Sequence, residues 1–389
     1  MIARIHLSIF SSLAKALVVL TAVVVGFSAH AQTGSPRHVS GAGFESLSLE
    51  ELMSVRIVSA SNLSEQLIRA PATVIVISRR EIEERGYVRL SEILDDLPAM
   101  EMVRPYGPTW FKNYWRGYRN TVGDPFLLMI DGIVFNHLYF NTADVMDAFP
   151  LSNIQRVEIV YGPASSVYGP NATMGVINVI TSSDRFEDGS SQRIHFTGGS
   201  FDRVMGDLHY FYKKGDFRIS LTTRFDNGEV DPGVADESEY TRNRYYADPA
   251  LWGGFIENPT LGGEFESPHQ HRALDLRAWV GDMELGVQYF LTDNGYGLEY
   301  PADRAQNRAV WARDDLSLHL RRTHDFSEAM RSTTLVRYRE SGVEPESWFV
   351  QSPLEPGPRV VDFSYWMTAN QSLSAFQDFE MDVDDDITL

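Results

Sequence analysis

The chain of 389 residues contains no cysteine, which excludes a disulfide scaffold and a thiolate zinc site. It is also short of positive charge: 34 Lys and Arg stand against 53 Asp and Glu, a formal charge of −19. Nucleic-acid binding needs clustered Lys and Arg against phosphates, so no nucleic-acid partner is expected. Long apolar runs are missing beyond the N-terminus. Stretches such as "PFLLMIDGIVF" are short and broken by Asp131 and Gly132. With no membrane-spanning helix legible, a place in a membrane requires a β-barrel. Disorder is not the explanation, because 43% of the residues are hydrophobic.

The N-terminus itself reads as a leader. Arg4 and Lys15 supply positive charge, Ala16 to Phe27 is an apolar core of 12 residues, and Ala29-His30-Ala31 is a small-x-small cleavage site. A spanning helix needs about 20 apolar residues, so residues 1–31 read as a secretory signal peptide and the mature chain as exported.

Two halves then differ in period. Residues 61–185 mix strand and helix signals. "TVIVIS" is a β-branched run, and Ser78 with Glu81 three residues later forms a capping box. Gly86 should stop that helix. "LSEILDDLP" spaces Leu90, Ile93, Leu94 and Leu97 as one helical face, ended by Pro98. From about residue 191 a two-residue alternation takes over. "FRISLTTRF" sets Phe217, Ile219 and Leu221 against Arg218, Ser220 and Arg224, and "MELGVQYFL" sets Leu285 and Val287 against Glu284 and Gln288. Tight turns at Lys213 to Asp216 and Val280 to Asp282 contrast with a very long connection from Asp226 to His271. Alternating segments of about ten residues, joined by turns on one side and long loops on the other, read as transmembrane barrel strands. Phe217, Ile219, Leu221, Leu285 and Val287 are expected to face lipid. Tyr210, Tyr212, Trp279 and Trp366 suit interfacial aromatic girdles.

Between the halves lies "VEIVYGPASSVYGPNATMGVINVIT". It has no lysine for a phosphate-gripping loop and no Gly-x-Ser-x-Gly for a hydrolase elbow. With "IQR" before it, the stretch resembles the closing plug motif of the TonB-dependent outer-membrane receptors. "SLEELMSVRIVSAS", "APATVIVISRREIEERGY", "LSEILDDLP", "WRGYRN" and "LLMIDGIVF" resemble further elements of that family, in order. The resemblance covers residues 48–185 closely and the remainder by pattern.

The resemblance implies an α+β plug domain followed by antiparallel transmembrane β-barrel strands. The expected division is a signal peptide at 1–31, a periplasmic segment with the TonB box at 32–60, a plug at 61–185 and a partial barrel at 191–389. At about 20 residues per strand and connection the last part holds about ten strands, an incomplete barrel. It ends without the family's terminal aromatic, so the chain is expected to be the N-terminal part of a receptor. The stretch between Ala31 and Val55 is too short for an extra signalling domain.

The implied function is TonB-dependent uptake of a scarce large solute, a ferric siderophore, haem or cobalamin, across the bacterial outer membrane. The partners implied are TonB, outer-membrane lipid and an iron-chelate or similar solute. No enzymatic activity and no cofactor are implied. The alternative is a truncated, non-transporting plug-like binding protein. Val55, Arg56, Ile57, Val58, Ser59 and Ala60 are the TonB box candidates. Tyr106, Trp110, Tyr114, His137 and Tyr139 lie in aromatic-rich stretches and are candidates for solute contact. Where the family often carries Arg before Gly-Pro, this chain has Tyr161, which leaves Arg116, Arg156 and Glu158 as candidates for plug–barrel ion pairs. His269 and His271 stand within reach of one metal ion, yet read better as two loop histidines, and no metal is assigned.

Overall fold

A computed structural model describes residues 56–57, 65–66, 73–103, 112–118, 123–182, 188–228, 269–295, 310–327, 330–351, 362–384 and 387–388. The signal peptide, Val55 and Val58 to Ala60, and Tyr106 and Trp110 fall outside them. Strand β1 (Arg56–Ile57) pairs antiparallel with β2 (Glu65–Gln66). Strand β3 (Thr73–Ser78) runs into helix α1 (Arg79–Arg85) through the expected capping box. The Glu81 amide donates to Ser78 Oγ at 3.2 Å, and the Ser78 amide donates to the Glu81 carboxylate at 2.8 Å. Gly86 ends the helix at a φ of 71°, a conformation glycine adopts without steric cost. Helix α2 (Leu90–Asp95) buries Leu90, Ile93 and Leu94.

Strands β4 (Met100–Val103) and β5 (Lys112–Trp115) form a hairpin-like pair. They are followed by β6 (Phe126–Ile130), β7 (Ile133–Val134), β8 (Ile154–Tyr161), the one-turn helix α3 (Ser165–Tyr168) and β9 (Gly175–Thr181). The sheet order is β3-β8-β9-β6-β7, with β6 and β9 parallel and the other pairs antiparallel. Trp115 is fully buried at its end, 5.5 Å from Phe126 and 5.0 Å from Tyr161 by ring centroid. Gly175 permits this. A Cβ there would stand 2.1 Å from the Val160 carbonyl oxygen and 2.7 Å from the Trp115 ring. The glycines of the Tyr-Gly-Pro triplets serve the turn: Gly162 and Gly169 sit at φ 131° and 79°. The Gly162 amide donates to Met174 O at 2.9 Å, which ties the turn back to β9.

Among the described residues no helix follows Tyr168. Strands β10 (Gly189–Gly198), β11 (Val204–Lys214), β12 (Phe217–Gly228), β13 (His269–Val280), β14 (Met283–Gly295), β15 (Val310–Ser327) and β16 (Met330–Val343) follow in meander order. The short pair β17 (Trp348–Gln351) and β18 (Asp362–Tyr365) stands apart, and β19 (Thr368–Asp384) with the two-residue β20 (Ile387–Thr388) continues the sheet. Nine antiparallel strands result, close to the ten or so expected, in a sheet that is not closed among the described residues. Both sheets belong to one compact unit, Gly43–Leu389.

The alternation divides the wall into two faces. Phe217 and Leu285 are exposed, at 40% and 58%, and Ile219 and Val287 are half-buried on the same side. Leu221 shares their parity but is buried, since its cross-strand neighbours Tyr210 and Leu276 flank it. Trp279 is not a girdle residue. It lies on the inner face, buried, with the Arg218 guanidinium 5.1 Å from its ring. The polar face is in large part dry: Asp207, Arg224, Asp275, Arg277, Gln288, Arg313 and Arg339 are all buried.

Two changes test this architecture. Gly175→Ala is expected to lose about 1–3 kcal/mol by overpacking against backbone, visible as a lowered thermal midpoint of the detergent-solubilised chain; an unchanged midpoint would mean that β8 and β9 have room to part. Leu285→Arg is expected to cost about 2–4 kcal/mol if it sits at mid-bilayer, read by urea-dependent folding into lipid vesicles, and an unchanged folding midpoint would place it outside the lipid belt.

Candidate functional site

The inner face of the wall meets the globule of residues 73–182 through arginines. Three of them share one arrangement. Arg224 on β12 is held by Asp207 on β11, with Nε to Oδ1 at 2.7 Å. Arg277 on β13 is held by Asp275, two residues away on its own strand, at 2.7 Å. Arg339 on β16 is held by Asp315 on β15, with Nε to Oδ1 at 3.0 Å. Each guanidinium is thereby neutralised within the wall. Because a guanidinium has five donors in a fixed fork, each retains donors to spend elsewhere.

Those donors reach the globule, mostly its main chain. Arg224 donates to Val88 O at 3.0 Å and Asp147 O at 3.1 Å. Arg339 donates to Phe135 O at 2.8 Å and Asn136 O at 2.6 Å, while Arg337 donates to Val134 O. Arg321 donates to Asp131 O at 2.8 Å. Arg277 instead pairs with the Asp131 carboxylate, and Arg313 with Asp144. Asp131 opens the Asp-Gly turn between β6 and β7, at a φ of 47°. It also accepts from the amide and hydroxyl of Thr181, each at 2.8 Å. One carboxylate therefore joins the turn, the last strand of the globule and the wall. Apolar contact is local: Phe290 on β14 packs 5.6 Å from Phe135 and 6.2 Å from Phe149.

The candidate ion-pair residues fall differently. Arg156 pairs with Glu158, its neighbour two positions on in β8, at 2.6 Å. The Arg116 guanidinium lies 5.5 Å from the centre of the Tyr161 ring. These contacts stay inside the globule, and the wall contacts described above are made by other residues. Tyr161 takes a packing role, with its hydroxyl donating to Pro98 O at 3.0 Å, and burial pushes its phenol up.

Of the solute-contact candidates, Tyr114 is half-buried in β5. His137 is buried and organises its loop: Nδ1 accepts from the amides of Tyr139 and Phe140, at 3.1 and 3.2 Å. Burial, then Arg313 and Arg339, hold it down at about 3, so it is neutral at physiological pH. Tyr139, at the tip of that loop, is 68% exposed, the most accessible of the three described candidates. In the TonB box stretch, Arg56 and Ile57 pair with Gln66 and Glu65.

Comparison with known proteins places this arrangement. Residues 66–176 match the family model for the TonB-dependent Receptor Plug Domain. The chain is 31% identical over 135 residues to a vitamin B12 transporter, BtuB, of Vibrio vulnificus, covering 34% of this chain and 22% of that protein. It is 27% identical over 207 residues to the BtuB of Vibrio cholerae, covering 51% of this chain and 32% of that one. The chain thus spans less than a third of the length of these curated relatives. In fold it resembles the siderophore receptor PiuA from Acinetobacter baumannii, with a TM-score of 0.57 at 14% identity, over 87% of this chain and 46% of that one. It also resembles FpvA of P. aeruginosa in complex with a heterologous pyoverdine and iron, with a TM-score of 0.59 at 13% identity, over 84% of this chain and 42% of that one.

Removing one arginine should expose the logic of the pairs. Arg277→Met strands Asp275 as a buried acid and takes the guanidinium from half-buried Asp131, and is expected to cost about 3–5 kcal/mol. Adding Asp275→Leu should return part of that loss. Urea midpoints of the three proteins check it; a single variant as stable as wild type would remove Arg277 from the set of wall contacts that matter. A pH dependence follows from His137. Its unfolded form takes up a proton near pH 6.5 and its folded form only near 3. The stability it contributes is present above about 6.5 and is lost as pH falls through that window. Between pH 7 and 5 the loss should be smaller in His137→Gln by about 1–2 kcal/mol. Equal losses would exclude His137 as the sensitive group.

Proposed function

We propose that this chain, the plug and leading barrel strands of a TonB-dependent receptor, serves the uptake of a scarce large solute across the outer membrane of a Gram-negative bacterium, driven by TonB. The solute class is a metal chelate or corrinoid: a ferric siderophore, haem or cobalamin. The relatives matched by sequence are named as vitamin B12 transporters; of the two solved structures, PiuA is named as a siderophore receptor and FpvA is bound to a pyoverdine and iron. These names support the class, and the individual solute is left to experiment.

One observation carries the reading: the plug is attached to the wall chiefly by hydrogen bonds to main-chain carbonyls and a few ion pairs. Each bond to a charged donor is worth about 1.5–3 kcal/mol, and water can replace it as the plug moves. An apolar joint of the same size would resist hydration and separation.

The coupling strand in this reading is Val55 to Ala60. Its described part, Arg56–Ile57, is held by a two-residue pairing. The described part is already extended, and an extended segment adds to the sheet edge of a partner as a strand through main-chain hydrogen bonds. Tyr139 is the first candidate for solute contact.

A second reading is a plug-like binding protein that does not transport. The two readings differ at strand β10, which pairs on one side among the described residues and is exposed along nearly its whole length. Bare strand edges are costly in hydrocarbon. Carbonate washing of membranes separates the readings, since an inserted wall stays with the membrane until detergent is added, and a peripheral protein is released.

For transport, Ile57→Pro removes a main-chain donor and is expected to abolish uptake while leaving solute binding intact. Labelled solute bound and accumulated by the same cells checks this. Loss of both, or of neither, would remove Val55 to Ala60 from the coupling role.

A further inference from the structure

Three ligand-type side chains converge on the inner face of the wall. Asp226 stands near the end of β12, and His269 and His271 open β13. They are 0%, 4% and 1% exposed, and one ligand atom from each lies within 4.8 Å of the others. Strand pairing dictates the cluster. Asp226 is the cross-strand partner of His271, and two histidines two residues apart share a face of their strand. Their ring centroids are 4.0 Å apart. The histidines are therefore buried wall residues, where the sequence read them as part of a loop.

A cation already occupies the point of convergence. Arg89, at the start of α2 in the plug, places Nη2 2.8 Å from His269 Nε2 and 2.9 Å from Asp226 Oδ2. His269 Nε2 also lies 3.1 Å from Asp226 Oδ2. A guanidinium only donates, so with Arg89 seated Nε2 presents its lone pair to it, and the two acceptors are bridged by that cation. His271 is oriented by the wall itself: its Nε2 donates to Asn294 Oδ1 at 2.8 Å, which leaves the lone pair on Nδ1. That Nδ1 and Asp226 Oδ1 are buried with no hydrogen-bond partner among the described residues. Unpartnered buried acceptors cost free energy, and a cation bound within this cluster would relieve that cost. Asp226 also faces Arg203 at 3.5 Å, so its single charge is already opposed by two guanidiniums while the plug is seated. A divalent ion cannot join both.

We propose that Asp226, His269 and His271 form a binding site for a divalent transition-metal ion, and that Arg89 of the plug is the cation that competes for it. Two imidazoles and a carboxylate suit Zn²⁺, Ni²⁺ or Cu²⁺. Metal bonds of about 2.0–2.2 Å need only a modest closure of the cluster around a smaller cation. The metal and Arg89 use the same lone pairs of His269 and Asp226, so each weakens the other. By reciprocity, a movement that withdraws α2 opens the site to metal, and metal in the site loosens the hold on α2. The site stands on the wall residues and Arg89 alone and does not depend on which solute, if any, is carried.

The test is a titration of the full chain in detergent micelles with Zn²⁺ by calorimetry and with Cu²⁺ by electron paramagnetic resonance. Arg89→Ala is expected to bind one equivalent on the order of tenfold or more tighter than wild type. In that background His269→Ala and His271→Ala should each lose the tight equivalent, while His195→Ala, on the exposed edge strand, should keep it. Circular dichroism establishes that each variant is folded. If a histidine variant fails to fold, the Cu²⁺ spectrum of Arg89→Ala decides alone: hyperfine splitting from two nitrogens is expected, and its absence overturns the proposal. An affinity unchanged by Arg89→Ala, or a tight equivalent that survives the loss of either histidine, overturns it equally.

Discussion

The neutralised arginine is the interaction on which the rest depends. Arg224, Arg277 and Arg339 are buried, and a buried guanidinium without a counter-charge would cost several kcal/mol. Asp207, Asp275 and Asp315 supply that charge from within the wall. What remains of each fork meets a need on the other side. The plug segments at residues 131–136 and at Asp147 carry carbonyls that no sheet satisfies there, and buried carbonyls need donors. Wall and plug thus complete each other's hydrogen bonding, and neither surface would be comfortable dry without the other.

This arrangement also sets how firmly the plug is held. The contacts are many and directional, so they position the plug closely, but most are of a kind that water can take over. The Phe290 contact with Phe135 and Phe149 supplies the local apolar anchor. Asp131 gathers the largest share of the remainder, since it links Thr181, Arg277 and Arg321. The Asp-Gly turn is therefore a mechanical joint as much as a turn. Seated this way, the plug also fills with Arg89 the cation position formed by Asp226 and His269.

Much of the fold was legible in the sequence because its signals are local. The Ser78–Glu81 capping box, the Gly86 stop and the two-residue alternation of β12 and β14 each depend on residues a few positions apart. The wall contacts were not legible. Arg277 and Asp131 are 146 positions apart, and Arg339 meets the main chain of Phe135 and Asn136 from more than 200 away. A carbonyl acceptor leaves no mark in a sequence, since every residue has one. Arg116, Arg156 and Glu158 drew attention because they lie in recognisable motifs, and those motifs serve packing within the plug. The alternation did contain a usable hint. Arginine and aspartate recur on the inner parity of β11, β12, β13, β15 and β16, and same-face acid–base pairs on neighbouring strands point to neutralised rather than solvated charge. Leu221 and Trp279 show the limit of parity alone, because burial depends on what the neighbouring strands place beside a residue. The histidines beside the long loop needed the β12–β13 register before their faces could be assigned.

The central claim is that the plug is seated directly against the inner face of this wall. The absence of cysteine makes it testable without background, since a single introduced pair is the only thiol pair present. The Leu138 amide donates to Ser341 Oγ at 3.1 Å, across the junction of plug loop and strand β16. A Leu138→Cys/Ser341→Cys chain, oxidised mildly in detergent or in membranes, is expected to form an intramolecular disulfide. The product would show faster mobility under non-reducing electrophoresis, reversed by reductant and absent in either single variant. A folded double variant whose two thiols both stay free, or which cross-links only between chains, would contradict the seating of the plug against the wall.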